Sequence, residues 1–107
     1  MRWKPVTLNK TVTTAGTAVQ VSSTSIQTPE IIFQSASANT GRVYVGDSSV
    51  ESTPQSSEQG VCLKDAGGAV TFGSIASGQT RSLDLIDFYV DASVNSSVVC
   101  ITYFVQS

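Results

Sequence analysis

Three aspartates spaced three and four residues apart are the first candidates for chemistry in this chain. Asp84, Asp87 and Asp91 lie in the stretch RSLDLIDFYVDAS (residues 81–93). On a helix this spacing would place three carboxylates on one face, where they could act in acid/base catalysis or hold a cation. The Phe-Tyr-Val run favours a strand, however, and a helix here would lack a capping box. We therefore interpret the segment as a turn that enters a strand, with three acids that diverge and face water.

This arrangement favours neither catalysis nor metal binding. Acid/base catalysis needs two carboxylates at a fixed separation in environments that push their pKa values apart, and a turn followed by a strand does not provide this. A calcium site built from Asp84, Asp87 and backbone carbonyls is the alternative, but the alternating acids of known calcium loops are missing. The chain has no histidine, the commonest general base and a common zinc ligand. We predict that the protein is not an enzyme and has no catalytic residue, metal or cofactor.

The scaffold that carries these acids is small and weakly charged. A chain of 107 residues has room for one domain with a thin core. The net charge is −2 and the six basic residues are scattered, so no basic patch is able to neutralise many phosphates. Nucleic acid is therefore not a predicted partner. Serine and threonine together number 29, which predicts a surface rich in hydroxyl groups.

The first residues, MRWKPVTLNKTVTT, begin with charge but lack the apolar region of a signal peptide, and no later run reaches membrane-spanning length. We expect the protein to stay soluble where it is made, with no membrane partner. In a reducing compartment Cys62 and Cys100 are predicted to be free thiols that behave as small buried hydrophobic residues. A disulfide formed later in an oxidising medium is the alternative.

Short strands separated by turns dominate the chain. Runs of Val, Ile, Thr, Tyr and Phe alternate with Gly, Asn, Ser and Pro, and NTG (39–41) and DAGG (65–68) are hairpin signals. We predict an all-β fold, a single antiparallel β-sandwich of jelly-roll or immunoglobulin-like type with about eight short strands. An arm and first strand occupy 1–13 and the sandwich 14–107. The predicted strands are PVTL (5–8), AVQVS (18–22), EIIFQS (30–35), RVYVG (42–46), VCL (61–63), AVTFG (69–73), DFYVDA (87–92) and VVCITYFV (98–105).

One long polar segment interrupts this pattern. Residues 47–60, DSSVESTPQSSEQG, contain a single apolar side chain besides one proline, which predicts an exposed loop that includes Glu51, Pro54 and Glu58. Loops of this length are uncommon in compact domains and are either functional or mobile. Both interpretations stay open.

The last strand is apolar on both faces, whereas an outer strand of a small sandwich should alternate. We predict that Val99, Ile101, Tyr103 and Val105 form a subunit interface in a homo-oligomer. The alternative is that a loop or the N-terminal arm of the same chain covers that face. The arm itself carries Arg2, Trp3 and Lys4, and we predict that the tryptophan anchors the arm to a neighbouring subunit. A lid over the chain's own core and a loose arm are the alternatives.

Four blocks of the chain resemble, in order, a group of small virion proteins of tailed bacteriophages. The blocks are TAGTAVQVSSTS (14–25), NTGRVYVGDSSV (39–50), GVCLKDAGGAVTFG (60–73) and LDLIDFYVDASVNSSVVCITYF (83–104). The long 47–60 loop and the missing glycine before the last strand depart from the shared pattern. The resemblance implies a β-sandwich or jelly-roll module of the kind found in capsid decoration (cement) proteins, head fibres and tail parts.

On this resemblance we expect a structural protein of the virion that is made in the host cytoplasm and assembled onto the particle. It would bind the major capsid protein or another virion protein as a small homo-oligomer, a trimer in similar decoration proteins, and stabilise the shell. Arg2, Trp3 and Lys4 would then contact the capsid or a neighbouring subunit. The alternative is a tail- or fibre-associated module that binds a glycan of the host surface through the 47–60 loop with Tyr44 or Tyr89.

Overall fold

A computed structural model of the chain describes residues 2–52, 60–64, 66–74 and 83–106. This part of the chain contains ten β-strands and one turn of 3-10 helix, Leu85–Asp87. No helix within it is long and apolar enough to cross a membrane. The strands are β1 (Trp3–Val12), β2 (Val19–Gln20), β3 (Gln27–Thr28), β4 (Glu30–Ser35), β5 (Val43–Gly46), β6 (Val61–Leu63), β7 (Ala69–Gly73), β8 (Leu83–Asp84), β9 (Tyr89–Ala92) and β10 (Ser97–Gln106).

The strands pair in a nested order. Sheet A has the order β1-β10-β4-β7, sheet B has the order β2-β9-β5-β6, and β3 pairs with β8 in a small third sheet. Every pair is antiparallel, and the first strand pairs with the tenth, the second with the ninth and so on to the fifth with the sixth. A long antiparallel ribbon that is rolled over into two facing sheets produces this order, which is that of a jelly roll. The predicted all-β sandwich is confirmed.

The core lies between the two sheets because alternate residues of each strand point inward. In β4 and β10 every second side chain is buried, which is the burial expected for strands with one face on the core. Three phenylalanines form an aromatic group within this core, with ring centroids 5.3–5.7 Å apart: Phe33, Phe72 and Phe88. The buried apolar cluster contains Val12, Val21, Ile31, Phe33, Val43, Val45, Leu63, Leu85, Val90, Ala92, Val99, Ile101 and Tyr103.

Two polar side chains extend the ladder of β10 beyond the ends of β4. The Asn39 amide accepts a hydrogen bond from the Val98 N–H at 2.9 Å and donates to the Val98 carbonyl at 2.7 Å. At the other end the Thr28 hydroxyl accepts from the Phe104 N–H at 3.0 Å and lies 2.9 Å from the Phe104 carbonyl oxygen. Each side chain takes the place of a strand residue, so no buried backbone group of β10 is left unsatisfied at these points.

The predicted strands agree closely with the observed ones. The bounds of β4, β6 and β7 are those expected, and the other five predicted strands overlap observed ones. The main difference is β1, which begins at Trp3 and makes most of the expected N-terminal arm part of sheet A. The short strands β3 and β8 were not predicted, because two-residue strands leave no alternation to detect.

Candidate interaction surface

The three aspartates diverge, as predicted, but they occupy different environments. Asp84 precedes the 3-10 turn and caps it: one carboxylate oxygen accepts from the Ile86 N–H at 3.1 Å and from the Ile26 N–H at 2.9 Å, and the other accepts from the Ser25 hydroxyl. The Ser25 hydrogen bond, with those from the two backbone N–H groups, holds the pKa of Asp84 below its usual value. Asp87 is exposed at the end of the turn.

Asp91 does not face water, and the prediction that it does is wrong. Its side chain is 0% exposed on the outer face of sheet B. One carboxylate oxygen accepts from the Gly16 N–H at 3.1 Å and the Ala92 N–H at 2.8 Å, and the other accepts from the Ser52 N–H at 3.0 Å. Three backbone donors replace the water that burial removes, which makes a buried carboxylate tolerable.

This hydrogen-bond cluster fastens two loops to sheet B. The Ser52 hydroxyl donates to the Ala92 carbonyl at 2.7 Å, so Ser52 is bound to β9 through both its backbone and its side chain. The turn at Gly16 is held by Asp91, by the Ala92 carbonyl at 3.3 Å and, one residue earlier, by the Asn95 side chain at 2.8 Å from the Ala15 nitrogen. The loops that cover sheet B therefore converge on one side chain.

The Asp91 cluster holds loops on sheet B and does not have the arrangement of a nucleophilic site. The Ser52 hydroxyl hydrogen points to a backbone carbonyl and is not shared with the carboxylate, so nothing activates the oxygen as a nucleophile. Both side chains are buried from solvent and substrate. In the described ranges no group of three or more Cys, Asp or Glu residues is placed to hold a metal ion.

Neither Tyr44 nor Tyr89, the two alternatives expected as the exposed tyrosine of a glycan site, is exposed. Tyr44 lies directly opposite Asp91 across β5 and β9 and is only 2% exposed. Tyr89, two residues before Asp91, is half-buried. Because stacking on a sugar needs an exposed ring face, Tyr44 is removed from the candidates for sugar binding.

Residues 47–60 were expected to form an exposed loop, but their described part contains both exposed and buried residues. Asp47, Ser48 and Ser49 are exposed, and two hydrogen bonds from Ser49 hold the pKa of Asp47 below its usual value. Val50 and Ser52 are buried and Glu51 is half-buried, which corrects the expectation for this stretch. Pro54 and Glu58 lie outside the described residues.

The face of β10 that is partly open to solvent is opposite to the face predicted to form a subunit interface. Val99 and Ile101 are fully buried, Tyr103 is nearly so, and Val105 packs against the same core. Val99, Ile101 and Tyr103 face sheet B and are not accessible to another subunit, so their assignment to a subunit interface is wrong. Val105 is half-buried, and its assignment stays a prediction.

Because the inner face of β10 is occupied by the core, the outer face of sheet A becomes the candidate for a subunit interface. The side chains of β10 that point outward are half-buried, as is Ile32 on the neighbouring strand. Hydroxyl-bearing threonines surround them, and Trp3 and Pro5 continue the face along β1. The half-buried residues of this outer face are Ile32, Val98, Cys100, Thr102 and Phe104, with Thr7, Asn9, Thr11, Gln34, Ala69 and Thr71 exposed around them.

The predicted contact residues Arg2, Trp3 and Lys4 are all exposed at the beginning of β1. Trp3, at 40% exposure, is one of the most exposed large apolar side chains in the described part of the chain. It does not cover the chain's own core, because its register opposite Gln106 puts it on the outer face together with Pro5 and Phe104.

Both cysteines are free thiols. Cys62 is exposed on β6, an edge strand of sheet B, so the expectation that it is buried is wrong. Cys100 is half-buried on the outer face of sheet A.

The chain was compared with protein-family models, curated proteins and solved structures, and no match was found.

Proposed function

We propose that this protein is a structural component of a tailed-bacteriophage virion, a decoration protein that binds the outer shell as a small homo-oligomer, a trimer. The proposal is supported by the four sequence blocks together with the jelly-roll order of the strands. The blocks supply strands to both sheets, and they include Gly16 and Asp91, whose hydrogen bond fastens a loop to sheet B. The blocks contain all four strands of sheet B, together with β7 and most of β10 in sheet A, whereas β1, β3 and β4 lie outside them.

The outer face of sheet A carries the proposal for how the protein assembles. The apolar side chains on the inner face of β10 are used by the core, while Ile32, Val98 and Phe104 on the outer face are only half-buried. Burying such a patch against a second copy would contribute about 25 cal/mol for each Å² of apolar surface removed from water. Arg2, Trp3 and Lys4 lie at one end of β1 and would contact the shell or a neighbour.

Stabilisation of the shell would be additive. Each bound copy favours the closed particle by mass action, and many weak contacts around one shell act as a multivalent clamp. No catalytic group, cofactor or conformational change is required. A surface rich in hydroxyl groups and poor in charge suits this role, because it makes contacts without strong long-range repulsion between copies.

The experiment combines mass determination in solution with binding to capsids that lack the protein. We expect an oligomer at micromolar concentration and attachment to the particles. The double variant Ile32→Ser/Phe104→Ser is expected to become monomeric and to detach, whereas the control Thr71→Ser on the same face leaves both properties unchanged. A wild-type chain that is monomeric and does not attach to any such capsid contradicts the proposal.

A further inference from the structure

In the described part of the chain, β1 forms a long open edge of sheet A. Within the described residues, sheets A and B have four edge strands, and three of them are short: β2 has two residues, β6 has three and β7 has five. β1 has ten residues, and among the described strands it pairs only with β10. An edge of this length presents a row of unpaired N–H and C=O groups that can pair with another strand.

The register determines which groups are free. The Asn39 side chain hydrogen-bonds the N–H and C=O groups of Val98, and the Thr28 hydroxyl does the same for Phe104. The even-numbered residues of β10 therefore direct their N–H and C=O groups towards β4. The odd-numbered residues of β10 must then bond β1. In β1 the residues opposite them are even-numbered, which leaves the odd-numbered residues pointing to the open edge. Those residues are Trp3, Pro5, Thr7, Asn9 and Thr11.

The position of Pro5 agrees with this deduction. Proline has no N–H to give to a ladder and is confined within sheets to positions where the N–H would face solvent. Pro5 therefore leaves the pairing with β10 intact. From Thr7 to Thr11 the open edge keeps alternating donors and acceptors, enough to bind an extended segment of about five to seven residues.

The side chains beside this edge point to the chemistry of the occupant. On the core side, Val6 and Leu8 pack partly against the core and stay partly exposed, with Lys4 and Lys10 two residues beyond them on either side. The result is an apolar pair between two cations. Residues 2–12 hold three of the six basic residues of the chain and no acid.

We propose that the free edge of β1 binds an extended segment of another protein by strand addition, with the segment pattern acidic-x-apolar-x-apolar-x-acidic. Two apolar side chains of the segment would cover Val6 and Leu8, and the flanking acids would lie beside Lys4 and Lys10. No segment of the 107 residues has that pattern, and the occupant that the proposal names is a different protein. The inference does not depend on the phage role.

A second copy of β1 fits this edge less well. In a symmetric antiparallel pairing centred on Thr7, each Lys4 would lie opposite a Lys10, and like charges directly opposite one another are destabilising. Charged and proline residues on an edge strand are a common protection against self-pairing.

The test uses the full chain and two synthetic nine-residue peptides, with binding measured by calorimetry. One peptide has the core Glu-Thr-Val-Thr-Val-Thr-Glu between two threonines, and the control has the same composition in scrambled order. We expect the patterned peptide to bind at least about tenfold more tightly than the scrambled one. Equal affinities of the two peptides overturn the proposal.

Two variants then locate the binding. Asn9→Pro removes one open-edge N–H and places a ring in the way of the incoming strand, while the matched Asn9→Ala keeps the N–H. We expect the proline variant to weaken binding by about tenfold or more and the alanine variant by less than about twofold. Equal effects of the two variants, or none, contradict pairing at this edge.

A third variant tests the two lysines and leaves the backbone hydrogen-bonding groups unchanged. Lys4→Glu/Lys10→Glu is expected to abolish binding of the acidic peptide and to create binding of the same peptide with lysine in place of glutamate. Failure to exchange the preference overturns the assignment of an acidic partner.

Discussion

Replacement of Asp91 by asparagine tests whether this buried carboxylate holds the loops on sheet B. Asparagine has the same shape but only one acceptor oxygen. If that oxygen keeps the bonds from the Gly16 and Ala92 N–H groups, the amide nitrogen faces the Ser52 N–H across 3.0 Å, and two donors oppose each other. The variant therefore removes one hydrogen bond to a charged group and leaves a buried donor unpaired.

The free-energy cost follows from these two effects. A hydrogen bond to a charged group contributes about 1.5–3 kcal/mol, and an unsatisfied buried donor costs about 1–3 kcal/mol. Because both effects concern the same Ser52 N–H group, they overlap, and we expect the free energy of unfolding to fall by about 2–4 kcal/mol. Asp91→Ala removes the acceptor for all three N–H groups and is expected to cost about 3–5 kcal/mol, although Gly16 keeps a second acceptor in the Ala92 carbonyl. A domain of this size has about 5–15 kcal/mol in total.

Urea unfolding followed by far-UV circular dichroism measures the change. With an m-value of about 1–1.5 kcal/mol/M, the Asn variant should unfold at a urea concentration lower by about 1.3–4 M. Hydrogen exchange at the Ser52 amide should accelerate more than exchange in β10. Asp87→Asn, an exposed aspartate from the same stretch, is the control and should change stability by less than about 0.5 kcal/mol. Equal stability of the Asp91 and Asp87 variants would refute the reasoning.

Three further predictions concern other supports of the fold. Because hydrogen bonds lower the pKa of Asp84 from 3.8, its contribution to stability is present at neutral pH and disappears as the pH falls below about 4; Asp84→Asn should destabilise the fold at pH 7 and have little effect in acid. Gly73→Ala should lower the free energy of unfolding by about 2 kcal/mol or more, measured by thermal unfolding, because φ is +76° and the new Cβ would lie 2.2 Å from the Pro29 carbonyl oxygen. Gly16→Ala, where φ is +86° and the space is open, should lower it by about 1–2 kcal/mol. Asn39→Ala removes both hydrogen bonds to the backbone of β10 and should lower the free energy of unfolding by about 1–3 kcal/mol in urea.

The sequence alone was sufficient for the class of fold and for most strands. In segments such as EIIFQS, β-branched and aromatic residues lie between polar turn residues, and this local pattern is enough to predict the strand β4 with its correct bounds. The turn into β9 was also predictable, because Leu85 and the Phe-Tyr-Val run favour burial and extension at neighbouring positions. Period-two alternation depends on near neighbours, which is why it can be read without the fold.

The tertiary structure decided which face of β10 is inside and what Asp91 does. Both faces of β10 are apolar, so alternation gives no preference, and only the pairing with β4 opposite sheet B puts Val99 and Ile101 in the core. Asp91 is buried by partners 75 and 39 residues away along the chain. A local pattern contains no information about such contacts, because the loops that supply the N–H donors are brought to the side chain only when the nested strands have paired.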